Sequence, residues 1–412
     1  MLTQLGKNAK RAAAELAVAS TKSKNAVLTA IAQALRNNCD KILDANAKDI
    51  ENGRKNGMPR SLIDRLMLTP ARIDDMARGI EEVVSLPDPV GKILWETERP
   101  NGLKIQRVTV PLGVIGIIYE ARPNVTSDAA ALAIKAGSAV ILRGGKEAFL
   151  SNCAITDCMR DAVKSAGIDP DIVQLVRDTT RESSAALMRL NEYVDVLIPR
   201  GSASLINAVV ENSTVPVIET GAGNCHIYVD SDADIDMAAD IVFNAKTQRI
   251  SVCNAAESLL LHRDIAELAL IVIKARLDEK NVVLYGDEAA RAICPDIEPA
   301  GEDDWAMEYL DYKMSVKIVS SINEAVEHIR KYSTGHSESI ITENAANAEE
   351  FMNRVDSSAV YHNASTRFTD GGEFGFGAEI GISTQKLHAR GPLGLPQLTS
   401  FKYKIYGNGQ TR

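Results

Sequence analysis

Cys253 is the residue whose surroundings most directly suggest chemistry. It lies in KTQRISVCNAAES, between a predicted helix from Ile235 to about Lys246 and a predicted strand. A loop cysteine can act as a nucleophile when it is accessible and partly ionised, and Lys246 and Arg249 are close enough in sequence to lower its pKa. The alternative is a packed thiol, which this segment alone favours because the chain has six cysteines.

Asn124 is a second candidate for a chemical role. It lies in YEARPNVTSDAA, where an apolar segment ends and an alanine-rich helix is predicted to begin. The side-chain amide can cap this helix, or it can donate a hydrogen bond to the oxyanion that forms when a thiol attacks a carbonyl. Capping is the better interpretation of this segment alone.

Two predicted strand-to-helix turns are candidates for nucleotide binding. The segment AVILRGGKEA carries Arg143 and Lys146, and LIPRGSASLI brings Gly201 and Ser202 to a helix N-terminus. Backbone N–H groups at such a terminus can hold a pyrophosphate. Neither a GxGxxG motif after a predicted strand nor a Walker loop is present, so ordinary turns between elements are the alternative.

The composition is that of a soluble globular protein with more than one domain. The 412 residues exceed the size at which one hydrophobic core keeps growing, and 45% of them are apolar and 25% charged. The apolar run from Val110 to Tyr119 is much shorter than the ~20 residues of a membrane-spanning helix. The N-terminal segment has no pattern of a signal peptide, so we expect a cytoplasmic protein without a membrane role.

Charge and cysteine spacing exclude two further classes of site. The net charge of −9 disfavours nucleic acid as the main partner, because binding to phosphate backbones needs a concentrated positive face. The six cysteines form no CxxC pair, and no histidine cluster has zinc-ligand spacing. We therefore predict reduced thiols and no metal.

The elements that position these residues fall into three groups. To about residue 90 the pattern predicts successive helices. The apolar faces of two of these helices are formed by Leu28, Ile31 and Leu35, and by Leu43, Ala47 and Ile50. Between Ile93 and Tyr119 the period changes to two, which predicts a hairpin arm of the kind that serves subunit contacts.

From Ser138 onward predicted strands alternate with helices, which indicates an α/β fold with doubly wound parallel sheets. The strand candidates are AVILRGG, DIVQLVRD, VDVLIPRGS, TVPVIETG, ESLLLH, SVKIVSS, ESIITE and SSAVYH. The pattern occurs twice, so we predict two α/β domains. The tail after Ala364 ends in the strand-like FKYKIYGNG, which can pair with a sheet edge of another subunit.

Six separated segments, in this order, resemble the gamma-glutamyl phosphate reductase family of the aldehyde dehydrogenase superfamily. They are VPLGVIGIIYEARPNVT, ILRGGKEA, IPRGSASLI, TQRISVCN, SSAVYHNASTRFTDGGEFGFG and STQKLHARGPLG. The segment KIVSSINEAVEHIRKYSTGHSESII also resembles the family in the spacing of Val326, His328, His336, Ser337 and Glu338. The likeness runs from the first helix to the tail.

The resemblance implies an aldehyde-dehydrogenase-like fold and an acyl-phosphate reductase of L-proline biosynthesis. Cys253 would be the nucleophile, and Asn124 with the backbone N–H of Cys253 would form the oxyanion hole. The thiolate would attack L-glutamate 5-phosphate, phosphate would leave, and hydride from NADPH would convert the thioester to L-glutamate 5-semialdehyde. Splitting the reduction in this way replaces one difficult step by two easier ones.

The resemblance also implies domain boundaries. Residues 1–96 and 117–225 would form the NADPH-binding domain, and residues 226–362 would form the catalytic domain. Residues 97–116 and 363–412 would form the oligomerisation arm and tail of a homo-oligomer. Association with a glutamate 5-kinase would follow from the lability of the substrate.

The chain departs from a general aldehyde dehydrogenase at two positions, of which the second concerns the cofactor. Glu219 in IETGAG matches the position of the glutamate that activates a hydrolytic water, which a phosphate reductase does not need. Lys146 stands where NAD-using relatives place a ribose-binding glutamate, and a cation there suits the 2′-phosphate of NADPH. Glu308 aligns with a residue that contacts the nicotinamide ribose, and a solvated surface glutamate is the alternative.

The substrate carries an acyl phosphate and a carboxylate, so basic groups should converge on the thiol. The candidates are Arg122, Arg249, Lys386, His388 and Arg390. A surface ion pair is the alternative for each of them.

Two other functions remain open. An ordinary aldehyde dehydrogenase would oxidise aldehydes with NAD without added phosphate and would require Glu219. A non-enzymatic scaffold on the same fold would not be stabilised by NADPH, whereas a bound ligand must stabilise the native state.

Overall fold

The computed structural model describes residues 2–412, except for the side chain of Ser61. The helices are α1 (Leu2–Leu16), α2 (Thr21–Asn37), α3 (Cys39–Lys55), α4 (Arg60–Leu66), α5 (Pro70–Ser85), α6 (Asn124–Lys135), α7 (Phe149–Ser165), α8 (Arg181–Leu187), α9 (Ala203–Asn212), α10 (Ile235–Thr247), α11 (Ala266–Asp278), α12 (Glu288–Ile293), α13 (Ile322–Tyr332) and α14 (Ala345–Arg354). The strands are β1 (Ile93–Glu98), β2 (Lys104–Pro111), β3 (Val114–Tyr119), β4 (Ala139–Gly144), β5 (Val173–Leu175), β6 (Val196–Arg200), β7 (Cys225–Val229), β8 (Ala256–His262), β9 (Val283–Gly286), β10 (Glu298–Pro299), β11 (Lys313–Val319), β12 (Ser337–Ile341), β13 (Ala359–His362), β14 (Ile382–Ser383), β15 (Gly391–Pro392) and β16 (Thr399–Tyr406).

The described chain divides into two compact units. The first unit comprises the residues up to Thr220 together with Gly375–Gly381 and Leu393–Arg412, and the second comprises Gly221–Phe374 and Ile382–Pro392. The chain therefore passes to the second unit five residues before the predicted boundary at 225/226. The predicted tail, 363–412, is not one segment, because its parts are divided between the two units.

The first unit contains a four-stranded parallel sheet in the order β5-β4-β3-β6. Strands β3, β4 and β6 are fully or largely buried and rich in Val, Ile and Leu, as expected for a parallel sheet covered on both faces. The predicted helices before residue 90 are confirmed as α1 to α5. From β3 the chain winds first toward β4 and β5 and then returns to the other side at β6, which creates a topological switch point between β3 and β6.

The predicted apolar face of α3 is wrong. The helix buries Ile42, Asn46 and Asp49 and leaves Ala47 exposed. Asn46 donates to the carbonyl of Leu66 at 2.8 Å, and Asp49 accepts from the backbone and side chain of Ser151 at 2.8 and 2.7 Å. These polar side chains are buried because they satisfy backbone groups of neighbouring segments.

The predicted hairpin is confirmed and gains a third strand. β1 pairs antiparallel with β2, and the C-terminal β16 pairs antiparallel with the other edge of β2. The predicted strand FKYKIYGNG therefore extends the sheet of its own chain. All three strands belong to the first unit.

The second unit contains a seven-stranded parallel sheet in the order β10-β9-β11-β8-β7-β12-β13. Helices α10 and α11 cover one core of buried aliphatic residues. The other core includes residues of α13 and α14. The predicted alternation of strands and helices is thus confirmed in both units, but two details differ. The segment TVPVIETG forms only an isolated parallel bridge, between Val217 and Leu197, and β7 was not predicted.

Within the described residues, no helix combines the length and apolar character that a membrane span requires.

Candidate functional site

Cys253 lies in a turn that begins after α10 and ends at β8, as predicted, and its side chain is half-buried. Its loop lies at the amino end of the seven-stranded sheet. β8 pairs in parallel with β7, and β7 pairs in parallel with β12. The amino ends of these three strands therefore lie at the same edge of the sheet as the loop of Cys253. This edge of the sheet therefore brings together side chains that are distant in sequence.

The other five cysteines are less suited to act as nucleophiles. Burial raises the pKa of each of these thiols, most strongly that of Cys225, and so disfavours the reactive thiolate. The remaining four are Cys39, Cys153, Cys158 and Cys294. Cys253 is thus the thiol whose position best suits covalent chemistry.

Two side chains contact Cys253 at the sheet edge. Nε2 of the buried His336, the residue before β12, lies 3.2 Å from Sγ of Cys253. Cys225, the first residue of β7, donates its thiol to the carbonyl of Cys253 at 3.1 Å. His336 stands out in the sequence only by its spacing in a family segment, and no role was predicted for it.

Arg367 is a basic group near the thiol that the sequence analysis did not select. Its guanidinium donates to the side chains of Asn254 and, at 2.9 Å, of Gln248. Burial and the neighbouring positive charge of Arg249 lower the pKa of Arg367, and the negative charge of a Cys253 thiolate raises it. Arg249 itself is exposed, so the structure places two positive charges around this loop.

Lys246 does not serve Cys253 in the way that its position in sequence suggested. Its ammonium lies 2.5 Å from the carboxylate of Glu257, and both side chains are fully buried. Burial lowers the pKa of Lys246 and raises that of Glu257 to about 7. The charge of Lys246 is therefore committed to Glu257.

Gly223 brings a second loop close to the backbone of Cys253. A Cβ atom at position 223 would overlap the carbonyl group of Cys253 and lie 2.7 Å from its Cα. The N–H of Gly223 donates to Glu308 at 2.7 Å. One carboxylate oxygen of Glu308 therefore holds this loop. The sequence predicted a ribose-binding role for Glu308 and did not predict this contact.

A cavity of about 460 Å³ lies in the second unit, beside the loop that precedes β12. Its lining includes four cations and several hydroxyl groups; the cations are Arg330, Arg354, Lys386 and Arg390. Lys386 and Arg390 both form ion pairs with Asp356, whose pKa they lower to about 2. The ion-pair alternative thus describes these two residues, although both still line the cavity.

His388, the third predicted residue of this segment, lies between β14 and β15 and is exposed. Its φ of 61° places it in the left-handed region, as part of a tight turn.

Asn124 belongs to the first unit, and the capping interpretation is wrong. The N-cap of α6 is Pro123, and Asn124 is the first residue of the helix itself. Its amide nitrogen donates to Asp128 at 2.9 Å, one turn further on. Burial raises the pKa of Asp128 to about 6, so ionisation of this group lowers the free energy of unfolding as pH rises from about 4 to 6.

The predicted nucleotide-binding residues lie at the carboxyl ends of β4 and β6, on either side of β3. Lys146 is exposed just after β4, and within the described residues its ammonium has no ion-pair partner. Arg143 instead donates to the carbonyls of Thr179 and Thr180, at 2.8 and 2.9 Å, so its guanidinium holds a loop. Burial lowers the pKa of Arg143.

Gly201 and Ser202 are exposed where β6 leads into α9, at the helix N-terminus that the sequence predicted, and the side chain of Ser202 caps that helix. The N–H of Ser202 is not available to a ligand, because it donates to the carboxylate of Glu120 at 2.9 Å. Arg122 and Glu219 also belong to the first unit, where both are half-buried.

Comparison with known proteins identifies the family. The model of the aldehyde dehydrogenase family matches residues 3–300. The chain is 58% identical to gamma-glutamyl phosphate reductase of Clostridium perfringens (strain SM101) over 407 residues, which cover 99% of this chain and 98% of that protein. It is 57% identical to the enzyme of the same name from Heliobacterium modesticaldum over 411 residues, covering 100% and 99%. The chain belongs to the gamma-glutamyl phosphate reductase family.

A solved structure of the family supports the fold as well. The crystal structure of gamma-glutamyl phosphate reductase from Thermotoga maritima has a TM-score of 0.98 and 49% identity, and 99% of each chain is covered. The predicted resemblance and the predicted aldehyde-dehydrogenase-like α/β fold are both confirmed.

Proposed function

We propose that the chain reduces L-glutamate 5-phosphate to L-glutamate 5-semialdehyde and phosphate, with NADPH, in proline biosynthesis. The family membership carries the activity to this chain. The observation that carries the mechanism is the half-buried thiol of Cys253, with an imidazole nitrogen 3.2 Å from its sulfur. We propose that this thiol forms the thioester.

The reaction divides into acylation and reduction. The thiolate of Cys253 attacks the acyl carbon, a C–S bond forms, and the C–O bond to phosphate breaks. NADPH supplies the hydride that reduces the thioester, and the C–S bond then breaks to release the aldehyde and restore the thiolate. Covalent catalysis of this kind needs an accessible, partly ionised thiol, and the positive charge of Arg367 favours ionisation.

Asn124 is proposed as the side-chain donor to the oxyanion, together with the backbone N–H of Cys253. Because the carboxylate of Asp128 accepts from the amide nitrogen of Asn124, it fixes which end of the amide is the donor. The second N–H of the same nitrogen is the one that would serve the substrate. Removal of one donor of this type costs roughly 2.7–4 kcal/mol of transition-state stabilisation.

Substrate recognition is proposed for five basic residues. Lys386 and Arg390 line the cavity beside the loop before β12, and their shared partner Asp356 is exposed and can be exchanged for a substrate carboxylate. Arg249 lies near the thiol loop, where a phosphate would leave. Arg122 and His388 are proposed from the family resemblance alone.

The residues at the carboxyl ends of β4 and β6 fit a dinucleotide, which we propose to be NADPH. The switch point between β3 and β6 is the place where open α/β sheets bind ligands. Lys146 is exposed there, whereas the neighbouring Glu147 turns inward and accepts from the N–H of Ala121 at 2.6 Å. This arrangement presents a cation, which suits a 2′-phosphate. Ser202, Gly201, Arg143 and, by resemblance, Glu308 complete the proposed set.

Replacement of Lys146 by Ala is expected to lower kcat/KM for NADPH by about 10- to 100-fold, the loss of a charge-assisted contact, with little change for NADH. Steady-state kinetics with both dinucleotides measure this. Lys48→Ala, a change of an exposed lysine on α3, is the matched control. An equal loss with both dinucleotides, or no loss with either, would reject the assignment of Lys146 to the 2′-phosphate.

The test of the proposed function is the phosphate requirement of the reverse reaction. The unmodified protein should oxidise glutamate 5-semialdehyde with NADP⁺ only when inorganic phosphate is present. Turnover without phosphate would instead indicate an ordinary aldehyde dehydrogenase. A scaffold without activity would also show no thermal stabilisation by NADPH.

We propose that the three-stranded sheet β1-β2-β16 mediates homo-oligomerisation. Residues of β16 are exposed from Ser400 to the end of the strand. By alternation and register, one face of the sheet carries mainly apolar and aromatic side chains: Trp95, Ile105, Phe401, Tyr403 and Ile405. An exposed apolar patch of this kind marks an interaction surface.

Replacement of Ile405 by Glu is therefore expected to lower the oligomeric state, because it places a charge in the interface. Lys404→Glu puts the same charge on the opposite face of β16 and should leave the assembly intact. Sedimentation velocity distinguishes the species. If the two variants sediment alike, the apolar face is not the interface.

Association with a glutamate 5-kinase is also proposed. Its only basis is that the acyl phosphate, which such a kinase would supply, is labile. Co-sedimentation of the two purified proteins tests it, and independent sedimentation at micromolar concentrations would contradict a stable complex.

A further inference from the structure

His336 occupies a position from which it can exchange a proton with the reacting sulfur. Its Nε2 lies 3.2 Å from Sγ of Cys253, within the range of a sulfur hydrogen bond. The imidazole is fully buried, whereas the thiol is half-buried and therefore reachable from outside. The two groups can share one proton, either as thiol and imidazole or as thiolate and imidazolium.

The opposite nitrogen of His336 has a partner that fixes the orientation of the ring. Nδ1 lies 2.8 Å from the hydroxyl of Ser337, and that hydroxyl lies 2.6 Å from the hydroxyl of Thr369. The phenol of Tyr361 completes the chain, 2.6 Å from Thr369. If Nδ1–H donates to Ser337, the lone pair of Nε2 points at the sulfur, which is the arrangement of a general base.

The topology of the sheet explains this meeting. His336 immediately precedes β12, and Cys225, the first residue of β7, lies with its sulfur 3.7 Å from Nδ1 of His336. The loop of Cys253 precedes β8. Since these three parallel strands are neighbours in the order β8-β7-β12, their amino ends converge on one point.

We propose that His336 is a catalytic acid–base for Cys253, a role that rests on the proposed function. In the resting enzyme His336 takes the thiol proton and leaves a thiolate–imidazolium pair. As the thiolate forms the C–S bond and the C–O bond of the acyl phosphate breaks, the imidazolium gives its proton to the departing phosphate. The later C–S cleavage restores the thiolate, and a proton from solvent restores the imidazolium. One proton is consumed per turnover, as the overall reduction requires.

The charged and titratable groups around His336 are compatible with this cycle. Glu338, two residues after His336 and in β12, accepts from the N–H of His226 at 2.6 Å and from the hydroxyl of Ser333, so it is engaged elsewhere. Burial keeps the pKa of Cys225 well above its ordinary value and that of Tyr361 at about 12, so both stay neutral. Arg367 adds a positive charge that favours the thiolate.

The pH dependence of alkylation tests this role without using the reductase assay. The rate of modification of Cys253 by iodoacetamide is measured by peptide mass spectrometry between pH 5.5 and 9.5, in the intact protein and in His336→Gln. In the unmodified protein the reaction should be fast well below pH ~8.5, the ordinary pKa of cysteine. In His336→Gln the rate at pH 7 should fall by about 10-fold or more, and the midpoint should move upward.

His362→Gln is the matched control, since His362 is an exposed histidine at the end of β13 in the same unit. Ser337→Ala retains the imidazole and removes its orienting partner. It should slow alkylation less than His336→Gln does, and it carries the test if His336→Gln does not fold. A second readout is the kcat of phosphate-dependent semialdehyde oxidation, which should fall by about 10²-fold or more with an unchanged KM for NADP⁺.

The outcomes separate this inference from the proposed function. Cys253 could be alkylated rapidly, with the same pH profile, in the unmodified protein, in His336→Gln and in Ser337→Ala. This result would overturn the role of His336, but the assignment of Cys253 as the nucleophile would stand. Failure of Cys253 to react faster than the other cysteines in the unmodified protein would overturn both.

Discussion

Replacement of Cys253 by Ala is expected to lower the kcat of phosphate-dependent semialdehyde oxidation by at least about 10⁴-fold, the scale seen when a covalent nucleophile is removed. The side chain is half-buried in a turn, so loss of the sulfur should leave the fold and dinucleotide binding unchanged. Steady-state kinetics and the thermal shift caused by NADPH measure the two properties separately.

Cys39→Ala provides the control for this change, because Cys39 is also half-buried and begins a helix of the first unit. It should retain activity. If Cys253→Ala retained full activity, the thioester mechanism would be excluded. If it lost NADPH binding together with activity, the loss could not be assigned to the sulfur alone, and the comparison would be repeated with Cys253→Ser.

Replacement of Gly223 by Ala is expected to lower kcat/KM by about 10²-fold or more, because displacement of reacting groups by about 1 Å is enough for such a loss. The new Cβ would overlap the carbonyl group of Cys253. The obstacle is backbone, which cannot rotate away, so one of the two loops must shift. Overpacking of this kind should also lower the free energy of unfolding by about 1–3 kcal/mol.

Gly221→Ala is the matched control in the same loop. The three atoms nearest to a Cβ at position 221 all belong to the side chain of Thr384, with Cγ2 at 2.9 Å, and that side chain can rotate. Kinetics and urea denaturation of both variants test the difference. Equal activity of Gly223→Ala and Gly221→Ala would show that the close approach to Cys253 does not position the thiol.

Much of the fold follows from local sequence patterns. The alternation of apolar strands with amphipathic helices predicted both parallel sheets, and the period-two pattern after Ile93 predicted the hairpin. The prediction for α3 was wrong because apolar spacing does not show that Asn46 and Asp49 serve backbone groups of distant segments. β7 was missed because CHIYV is short and begins with polar residues.

The candidate site was predicted unevenly for a related reason. The position of Cys253 in a loop before a strand could be read from local pattern, whereas its contact with His336 depends on the order of strands in the sheet. One signal was available, since His336 lies two residues before the predicted strand ESIITE. This position could not be connected with Cys253 without knowing that β7 lies between β8 and β12 in the sheet.

The basic candidates show what sequence distance conceals. Lys246 is seven residues from Cys253 in the chain, yet its charge is used by the buried Glu257. Arg367 is more than a hundred residues away, yet its guanidinium bonds to Asn254, the neighbour of the thiol. Charge pairing in the folded state decides which cations remain available, and it cannot be read from spacing.

The most direct test of the mechanism is mass spectrometry of the protein after mixing with freshly generated L-glutamate 5-phosphate in the absence of any nicotinamide dinucleotide. The thioester cannot be reduced under these conditions, so a glutamyl group should accumulate on the peptide that contains Cys253 and disappear when NADPH is added. An unmodified Cys253 peptide, under conditions in which the complete mixture turns over, would contradict the account.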